Sequence, residues 1–585
     1  MAHITGLSLG NFKVFKEKMD FEFSPITILT GGNNVGKSSV LKALLLIADN
    51  AKKTQFLELD FSGDRHNLDT FDYTINKRAD NDVIEIGFEL SQPNQFGFED
   101  HKNFRLNLSY EKSENVCNVI AYIIIRNNNE ELFAVRLDKE NKHTFHVNIK
   151  GYQDIKNDID FVNEPFLDKL LQNIPKLEIE EIKRSIGKEL VEYLSVLEIN
   201  SSDWNYWQST DEFNTASNSF EDATYSDLVR VFLDANIFSG EQKRLLKKID
   251  NLPTIKTLLE SYNIDTNLTI QDILSPSQSD IFYKFEDFLR NIHKSISTVI
   301  ELDFISNFRA NSKRLYSNQH QGTDFNELLL EIHKTKFSGT KGFIKDWLKA
   351  FGIGDDIHFK WFKGVATEVK IEKNGELIDL VDLGFGITQL LPIILKIALI
   401  VENRKYFRSA ESYLDRSIQK NQFIFNSDGS IKIKNLSNDY NKILEDDEQF
   451  KNKTFKRNEL FDYHVILLEE PETNLHPNLQ SKLADFLLDA SKRFNIQFII
   501  ETHSEYLIRK LQYLVATKET YPKDIALYYF NDPENIPQGE EQVKKIEFLE
   551  DGNLSDNFGN GFFNEADNLA IDLFNLNRKR HRANV

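Results

Sequence analysis

The chain has 585 residues, 40% of them hydrophobic and 28% charged, with 25 Gly and 12 Pro, which excludes a low-complexity protein and exceeds what one core accommodates. A formal charge of −20 argues against a generally basic, nucleic-acid-coating protein, while leaving room for a local basic groove. A lone cysteine, Cys117, excludes an intramolecular disulfide and, with no signal sequence in MAHITGLSLG, predicts a cytoplasmic setting; LLPIILKIALIV (390–401) is too short to span a bilayer and carries Lys396, so no membrane partner is expected.

In chain order, ITGLSLGNF and MDFEFS alternate like strands, and ITILT then runs into GGNNVGKSSVLKALLLIADN, where the apolar period changes from two to about 3.6. That change predicts strand, glycine loop and helix. From about 84 to 148 the runs VIEIGFEL, FRLNLSY, VIAYIII, LFAVRL and TFHVNI, parted by Asn and charged turns, predict an antiparallel sheet that completes an N-terminal lobe over 1–150. Cys117 sits in one of these runs and reads as a buried strand thiol. Residues 151–297 turn helical, as in IEEIKRSIGKELVEYLSVL and IFYKFEDFLRNIHKSISTVI, and read as an inserted helical arm. A strand ELDFIS (301–306), a helix GFIKDWLKAF, and strands HFKWF and VATEVKIEK lead to VDLGFGITQLLP (381–392), all within a segment 298–402. Residues 403–460, rich in Asn, Asp and Lys, read as a second insertion. In 461–545 the strand HVILLEE, a helix from His476, the strand QFIIETHS and a helix to about 515 restore the β-α alternation of a wound sheet, and 546–585 form a C-terminal module.

Three stretches carry chemistry. GGNNVGKS, with Gly31, Asn33, Asn34, Val35, Gly36, Lys37, Ser38 and the following Ser39, fits the phosphate-loop pattern GxxxxGK[ST] in its proper strand-to-helix setting. Its backbone N–H groups would turn onto the phosphates of ATP, Lys37 would span the β- and γ-phosphates, and the Ser38 hydroxyl would ligate Mg²⁺. The bland alternative is a glycine turn that caps a helix. HVILLEEPETNLHP is an apolar strand ending in two acids, Glu469 for the Mg²⁺ shell and Glu470 as general base for the attacking water. Glu469 stands where most such motifs carry Asp; the alternative is a strand that ends in solvated acids. QFIIETHSEYL delivers His503, beside Thr502 and Ser504, where it could hydrogen-bond a γ-phosphate rather than serve only structure. VDLGFGITQLLP, by contrast, has neither an acid pair nor a nucleophile that could act alone.

In this order NFK, GGNNVGKSS, GFGITQLLP, EEPETNLHP and ETHSEYLIRK resemble the ATPase heads of the ABC superfamily, in its SMC, RecF and OLD branch, over roughly 1–150 and 300–545. The resemblance implies an α/β fold: a P-loop wound sheet plus an antiparallel β subdomain, with an inserted helical arm. It also implies a homodimer or higher homo-oligomer closed around ATP, in which Gly384, Gly386, Thr388 and Gln389 of GFGITQ act on the nucleotide of the other subunit. The spacing is not LSGGQ, and relatives usually carry Ser where this chain has Thr388. Asn474 and Leu475 would begin a loop touching the partner, and Gln92 and Gln95 are candidates for a Q-loop glutamine. The long EEPE and ETHSE forms resemble bacterial AAA15/AAA21-type ATPases, which accompany nucleases or other effectors in antiphage systems such as Septu, PARIS and Gabija. ELDFISNFRANSKRLY, with Arg309, resembles another segment of that family, and KIEFLEDGNLSDNFGNGFFNEADNLAIDLF resembles the C-terminal domain DUF3696.

The expected function is therefore an ATPase that controls an effector protein encoded nearby in bacterial antiphage defence. One alternative is a RecF- or SMC-like clamp on DNA, although 151–297 lacks sustained heptads and includes NSSDWNYWQSTDEFNTAS. The other is an OLD-type nuclease, which needs a DxD pair that does not occur after His503. RKRHR (578–582) reads as a solvated helix end favoured by the macrodipole, with nucleic-acid contact as the second reading.

Overall fold

In the computed structural model the described residues are 4–53, 56, 59–63, 65–91, 103–113, 116–126, 130–137, 143–147, 162–195, 197–199, 252–264, 267–275, 302–306, 314–317, 324–333, 335, 337, 339–362, 366–383, 386, 389–403, 423–425, 430–433, 455–456, 464–559 and 569–574. Gly384, Thr388, Gln92, Gln95, Arg309 and the RKRHR cluster lie outside them.

The chain divides into two compact units. The unit formed by Ile4–Phe21 and Leu46–Ile300 is built on an antiparallel sheet. In chain order its strands are β1 (Ile4–Gly10), β2 (Met19–Glu22), then, after β3 of the other unit (Ile26–Gly31) and helix α1 (Lys37–Lys53), β4 (Val83–Ser91), β5 (Asn103–Ser113), β6 (Val116–Arg126), β7 (Glu130–Leu137), β8 (His143–Val147) and β9 (Leu197–Ile199). The sheet order is β2-β1-β4-β5-β6-β7-β8-β9. Strand β9 lies within 151–297, the segment read from the sequence as an inserted helical arm, and it pairs antiparallel with β8. Three residues carry too little periodicity to register as a strand; the open edge of β8 supplies the hydrogen bonds. Helices α2 (Glu164–Leu170), α3 (Lys176–Ser195) and α4 (Pro253–Ser261) agree with the helical pattern.

The other unit, Met1–His3, Glu22–Leu45 and Glu301–Val585, carries the wound sheet. It continues with β10 (Leu302–Ile305), β11 (Tyr316–Ser317), α5 (Asp324–His333), α6 (Lys341–Ala350), β12 (Asp356–Phe362), β13 (Ala366–Lys373), β14 (Glu376–Asp379), β15 (Phe423–Phe425), β16 (Ser430–Ile433), β17 (Phe455–Lys456), β18 (His464–Glu469), α7 (Pro477–Phe494), β19 (Ile496–Glu501), α8 (Glu505–Ala516), β20 (Ile525–Phe530) and β21 (Val543–Ile546). The main sheet runs β10-β18-β19-β3-β20-β21, parallel throughout except for the last pair. Parallel strands covered on both faces are buried on both and run mostly apolar, and β3, β19 and β20 are buried at every position. In β13, ATEVKIEK, Thr367, Val369 and Ile371 are buried while the residues between them are half-buried, so the two faces of its small sheet differ in burial.

The helices that flank the wound sheet are fixed at their ends. For α7, the His476 side chain accepts from the N–H of Asn478, Pro477 opens the first turn, and Asn495 closes the helix at φ 54°. For α8, Ser504 accepts from Leu507 N–H at 3.1 Å. The buried carboxylate of Glu402, at the end of the helical run 389–403, accepts from the N–H groups of Gly339 at 2.5 Å and Thr340 at 2.6 Å, at the start of α6. Farther along α6, the Trp347 indole N–H reaches Asp489 at 2.8 Å, and Lys482 of α7 donates to the Ala350 carbonyl at 2.7 Å. Ile28, Leu391, Ile394, Leu487, Phe498 and Leu511 lie in one buried core that joins these helices to the sheet.

Candidate nucleotide site

Three of the parallel strands end at the same edge, and their tips bring the predicted residues together. The phosphate loop leaves β3 through Gly31 (φ 144°), Asn34 (φ 60°) and Gly36 (φ 112°), left-handed geometry that glycine and asparagine tolerate best. A Cβ on Gly31 would also collide with the carbonyl oxygen of Phe530 at the end of β20, so glycine is needed there for close approach as well. Gly32, Asn33 and Asn34 are exposed, whereas Val35 is buried as the loop's anchor and Ser39 N–H bonds the Gly36 carbonyl at 3.0 Å.

Lys37 begins α1 with its side chain only 3% exposed. Its ammonium donates to the Gly32 carbonyl at 2.5 Å and lies 3.8 Å from Glu501 Oε1. Burial pulls the Lys37 pKa below its ordinary value, against the opposing pull of Glu501, Glu470 and Glu472. Next in the chain, the Ser38 hydroxyl donates to Glu501 Oε1 at 2.9 Å.

The β18 tip carries the acid pair. Parallel register sets Glu469 against Glu501 at the end of β19, and the Glu470 N–H donates to the Glu501 carbonyl at 2.8 Å. Glu470 itself sits at φ 41°, a strained position for a residue with a side chain, and Thr473 holds its carboxylate by donating to Oε2 at 3.0 Å. From β19, His503 Nε2 comes within 4.0 Å of Glu470 Oε1. Burial and the nearby Lys37 pull the His503 pKa down, with Glu470 opposing, so the imidazole is neutral at pH 7. Thr502 anchors this tip to the phosphate-loop strand: its N–H bonds the Leu29 carbonyl at 3.0 Å, and Thr30 donates to its carbonyl at 2.8 Å.

Two acids that the sequence reading did not single out belong to the same corner. Glu501 is 4% exposed, and its Oε2 is buried without a hydrogen-bond partner. Burial pushes its pKa up, the Ser38 hydroxyl and Lys37 pull it back, and Glu469 and Glu470 add to the rise. Glu472, 7% exposed, accepts the His503 N–H at 2.7 Å, and burial raises its pKa as well. The signal for Glu501 was present in QFIIE: an apolar run ending in an acid, the same pattern that marks HVILLEE.

Among the described residues the corner therefore gathers Glu469, Glu470, Glu472 and Glu501 around Lys37 and His503. The Ser38 hydroxyl and the buried, unpartnered Oε2 of Glu501 are oxygen donors of the kind Mg²⁺ takes, so the residues fit that ion.

The described part of the GFGITQ stretch lies against its own chain. A Cβ on Gly386 would overlap the Asn474 carbonyl oxygen, with Leu475 next to it, and Gln389 is 3% exposed with Oε1 unpartnered. Asn474 adopts φ 63°, and the Leu475 carbonyl accepts from Gln480, whose Oε1 takes the Ser504 hydroxyl at 2.6 Å. The loop after the acid pair is thus tied to the cap of the helix that follows His503.

Among the described residues no helix is long and apolar enough to cross a membrane. Comparisons with known proteins place the chain in a family. The model of the AAA ATPase domain family (AAA_15) matches residues 3–508, and that of DUF3696, a family of unknown function, matches 521–573, a range that includes β20 and β21. No curated protein matches. Similar solved structures include the Smc head domain with an extended coiled coil bound to the C-terminal domain of ScpA from Pyrococcus furiosus (12% identity, 94% of this chain and 96% of that one, TM-score 0.34). Two others are the SMC head domain from Thermotoga maritima (9%, 91% and 97%, TM-score 0.31) and the Smc head domain with a coiled coil and joint from Pyrococcus yayanosii (13%, 94% and 98%, TM-score 0.32). With the family matched over residues 3–508 and the phosphate loop, the acid pair and the histidine gathered at one sheet edge, the chain belongs to the AAA ATPase domain family and is an ATPase.

Proposed function

We propose that the chain binds Mg²⁺-ATP at this edge, hydrolyses it with Glu470 as general base, and closes as a homodimer whose nucleotide state controls an effector protein in antiphage defence. The observation that carries the ATPase chemistry is the convergence of Lys37, Ser38, Glu470 and His503 at the C-terminal ends of adjacent parallel strands, where open α/β sheets bind their ligands. Lys37 takes the phosphate charge, and Ser38 with Glu469 holds Mg²⁺, which when bound neutralises charge on the phosphates. Glu470 suits the base role because its side chain, unlike those of Glu472 and Glu501, is a third exposed and reaches water. Thr473 fixes one of its oxygens and leaves the other facing neutral His503, which is placed to donate to the γ-phosphate.

The dimer, the effector and the defence role rest on the resemblance of GFGITQ, EEPETNLHP and ETHSEYLIRK to ATPases of antiphage systems. Glu470→Gln tests the core of the reading. It should bind ATP with wild-type affinity, lose hydrolysis by a factor of about 10² to 10⁴, and elute as an ATP-dependent dimer by light scattering. Wild-type turnover in that variant would remove Glu470 from the base role, and a monomer at saturating ATP would count against closure.

A further inference from the structure

Two carboxylates in the corner, Glu472 and Glu501, have no role in the scheme above. Glu501 ends β19 beside the Glu469 tip, is 4% exposed, and splits its two oxygens between different surroundings. Oε1 accepts a hydrogen bond from the Ser38 hydroxyl at 2.9 Å and lies 3.8 Å from the Lys37 ammonium. Oε2 is buried with no hydrogen-bond partner. Ionised carboxylates are rarely buried in this half-satisfied way, because the unpaired oxygen forfeits its hydration. The unused oxygen therefore marks where a donor belongs.

We propose that Glu501 is a positioning residue for the metal: Oε1 holds the Ser38 hydroxyl, and Oε2 accepts a hydrogen bond from a water in the hydration shell of the Mg²⁺ that accompanies ATP. The hydroxyl chemistry supports the first half. Serine has one O–H to donate and two lone pairs; donating to Glu501 fixes the rotor and leaves the oxygen's lone pairs for a cation. The second half follows from Mg²⁺ itself, which keeps several waters and lets protein carboxylates act through them. Glu501 also explains how Glu469 can occupy a position where aspartate is usual. With a second acid on the neighbouring strand tip, the metal shell does not depend on the reach of Glu469 alone. The inference rests on the reading of this loop as an Mg²⁺-ATP site.

The test uses the full chain, a non-hydrolysable ATP analogue and Mn²⁺ as the spectroscopic probe. Glu501→Gln keeps an oxygen that accepts from Ser38 but puts an NH₂ where Oε2 accepts, so it turns an acceptor into a donor facing metal-bound water. With saturating analogue, paramagnetic titration should show Mn²⁺ bound about tenfold more weakly than in wild type, as for other losses of an outer-shell partner. Analogue affinity in EDTA should stay at the wild-type value or tighten, since Lys37 then has one fewer competing charge. Glu501→Asp keeps the charge but draws it back by one methylene, and a smaller loss of Mn²⁺ affinity is expected. Mn²⁺ affinity equal to wild type in either folded variant overturns the proposal and leaves Glu501 a structural ion-pair partner. Failure of the wild-type chain to bind the analogue even in EDTA would overturn the nucleotide reading itself, and this proposal with it.

Discussion

The two ends of β18 make opposite use of charge. At the Glu469 end, four carboxylates face one lysine and one histidine, and burial raises the pKa of both Glu501 and Glu472. At the His464 end, Asp303 of β10 lies against His464 and within 2.8 Å of Lys396, which is also 3.6 Å from Glu331. Burial alone would raise the Asp303 pKa, but His464 and Lys396 together hold it well below the ordinary carboxylate range. Between the two ends Val465, Ile466, Leu467 and Leu468 are fully buried, so one apolar strand separates an ion-paired cluster from one in which, among the described residues, acids outnumber bases. Compensated charge fixes the strand in place; uncompensated charge leaves a surplus that a metal and phosphates can answer.

Lys37→Ala should break this contrast most severely. It removes the corner's buried cation, leaves the four acids against the histidine alone, and takes away the group that would meet the phosphates. No ATP binding should remain by calorimetry. Retained wild-type affinity would defeat the assignment of the phosphate loop.

The opposite end should yield a stability effect instead. Asp303→Asn leaves Lys396 without its nearest carboxylate and should destabilise the fold by about 3 kcal/mol, with ATP affinity unchanged. The sign is set by a folded pKa below the unfolded one: Asp303 contributes stability above its unfolded value of 3.8 and loses it as pH falls through the still lower folded value. The deficit measured by urea denaturation should therefore persist from pH 7 to 5 and close only below the ordinary carboxylate range. A variant that melts like wild type but binds ATP poorly would mean that the two ends are not separable.

How much of this could be read in the sequence depends on whether the information was local. The β3-loop-α1 unit, the acid pair on β18 and the histidine after β19 each lie within about a dozen residues, so spacing alone placed them. Sheet order did not: β10 and β18 pair although Leu302 and Val465 are far apart in the chain, and such partners are chosen by packing that leaves no local mark. IALYYF carries no motif, yet it forms β20 beside β3 and brings Phe530 against Gly31. Glu501 and Glu472 were hidden inside recognised motifs, because spacing identifies which residues are present but not which oxygens are buried.

A smaller effect is expected where the signature stretch meets the loop after the acids. Gly386→Ala places a methyl group against the Asn474 carbonyl and should cost about 1 to 3 kcal/mol of stability through overpacking. The same contact means that Gly386→Arg perturbs its own chain before it can test action across a dimer. Mixing Gly386→Arg with Lys37→Ala is therefore informative only if each variant is first shown to fold. Recovery of hydrolysis in the mixture would support a composite site; normal melting of Gly386→Ala would show that the 474–475 loop yields freely.

The smallest change tests whether the surplus of acid carries an energetic cost. Glu472 is buried, accepts the His503 N–H at 2.7 Å through one oxygen, and has no hydrogen-bond partner for the other. Burial is the main reason its pKa is raised, and Glu470 adds to it, while the hydrogen bond from the His503 N–H offsets part of the rise. A folded pKa above the unfolded one means that the protonated form is favoured in the native state. The associated stability is present below the unfolded pKa and is lost as pH rises through the folded value. Glu472→Gln keeps an oxygen for the His503 N–H and removes the charge, so it should stabilise the protein by less than about 1 kcal/mol at pH 8. That gain should shrink as the pH is lowered toward 4.5, the ordinary glutamate value. Denaturation of both proteins at pH 8, 6 and 5 would show it. A difference that is the same at all three would mean that the corner holds its four acids without penalty, and the contrast between the two ends of β18 would then be geometric rather than electrostatic.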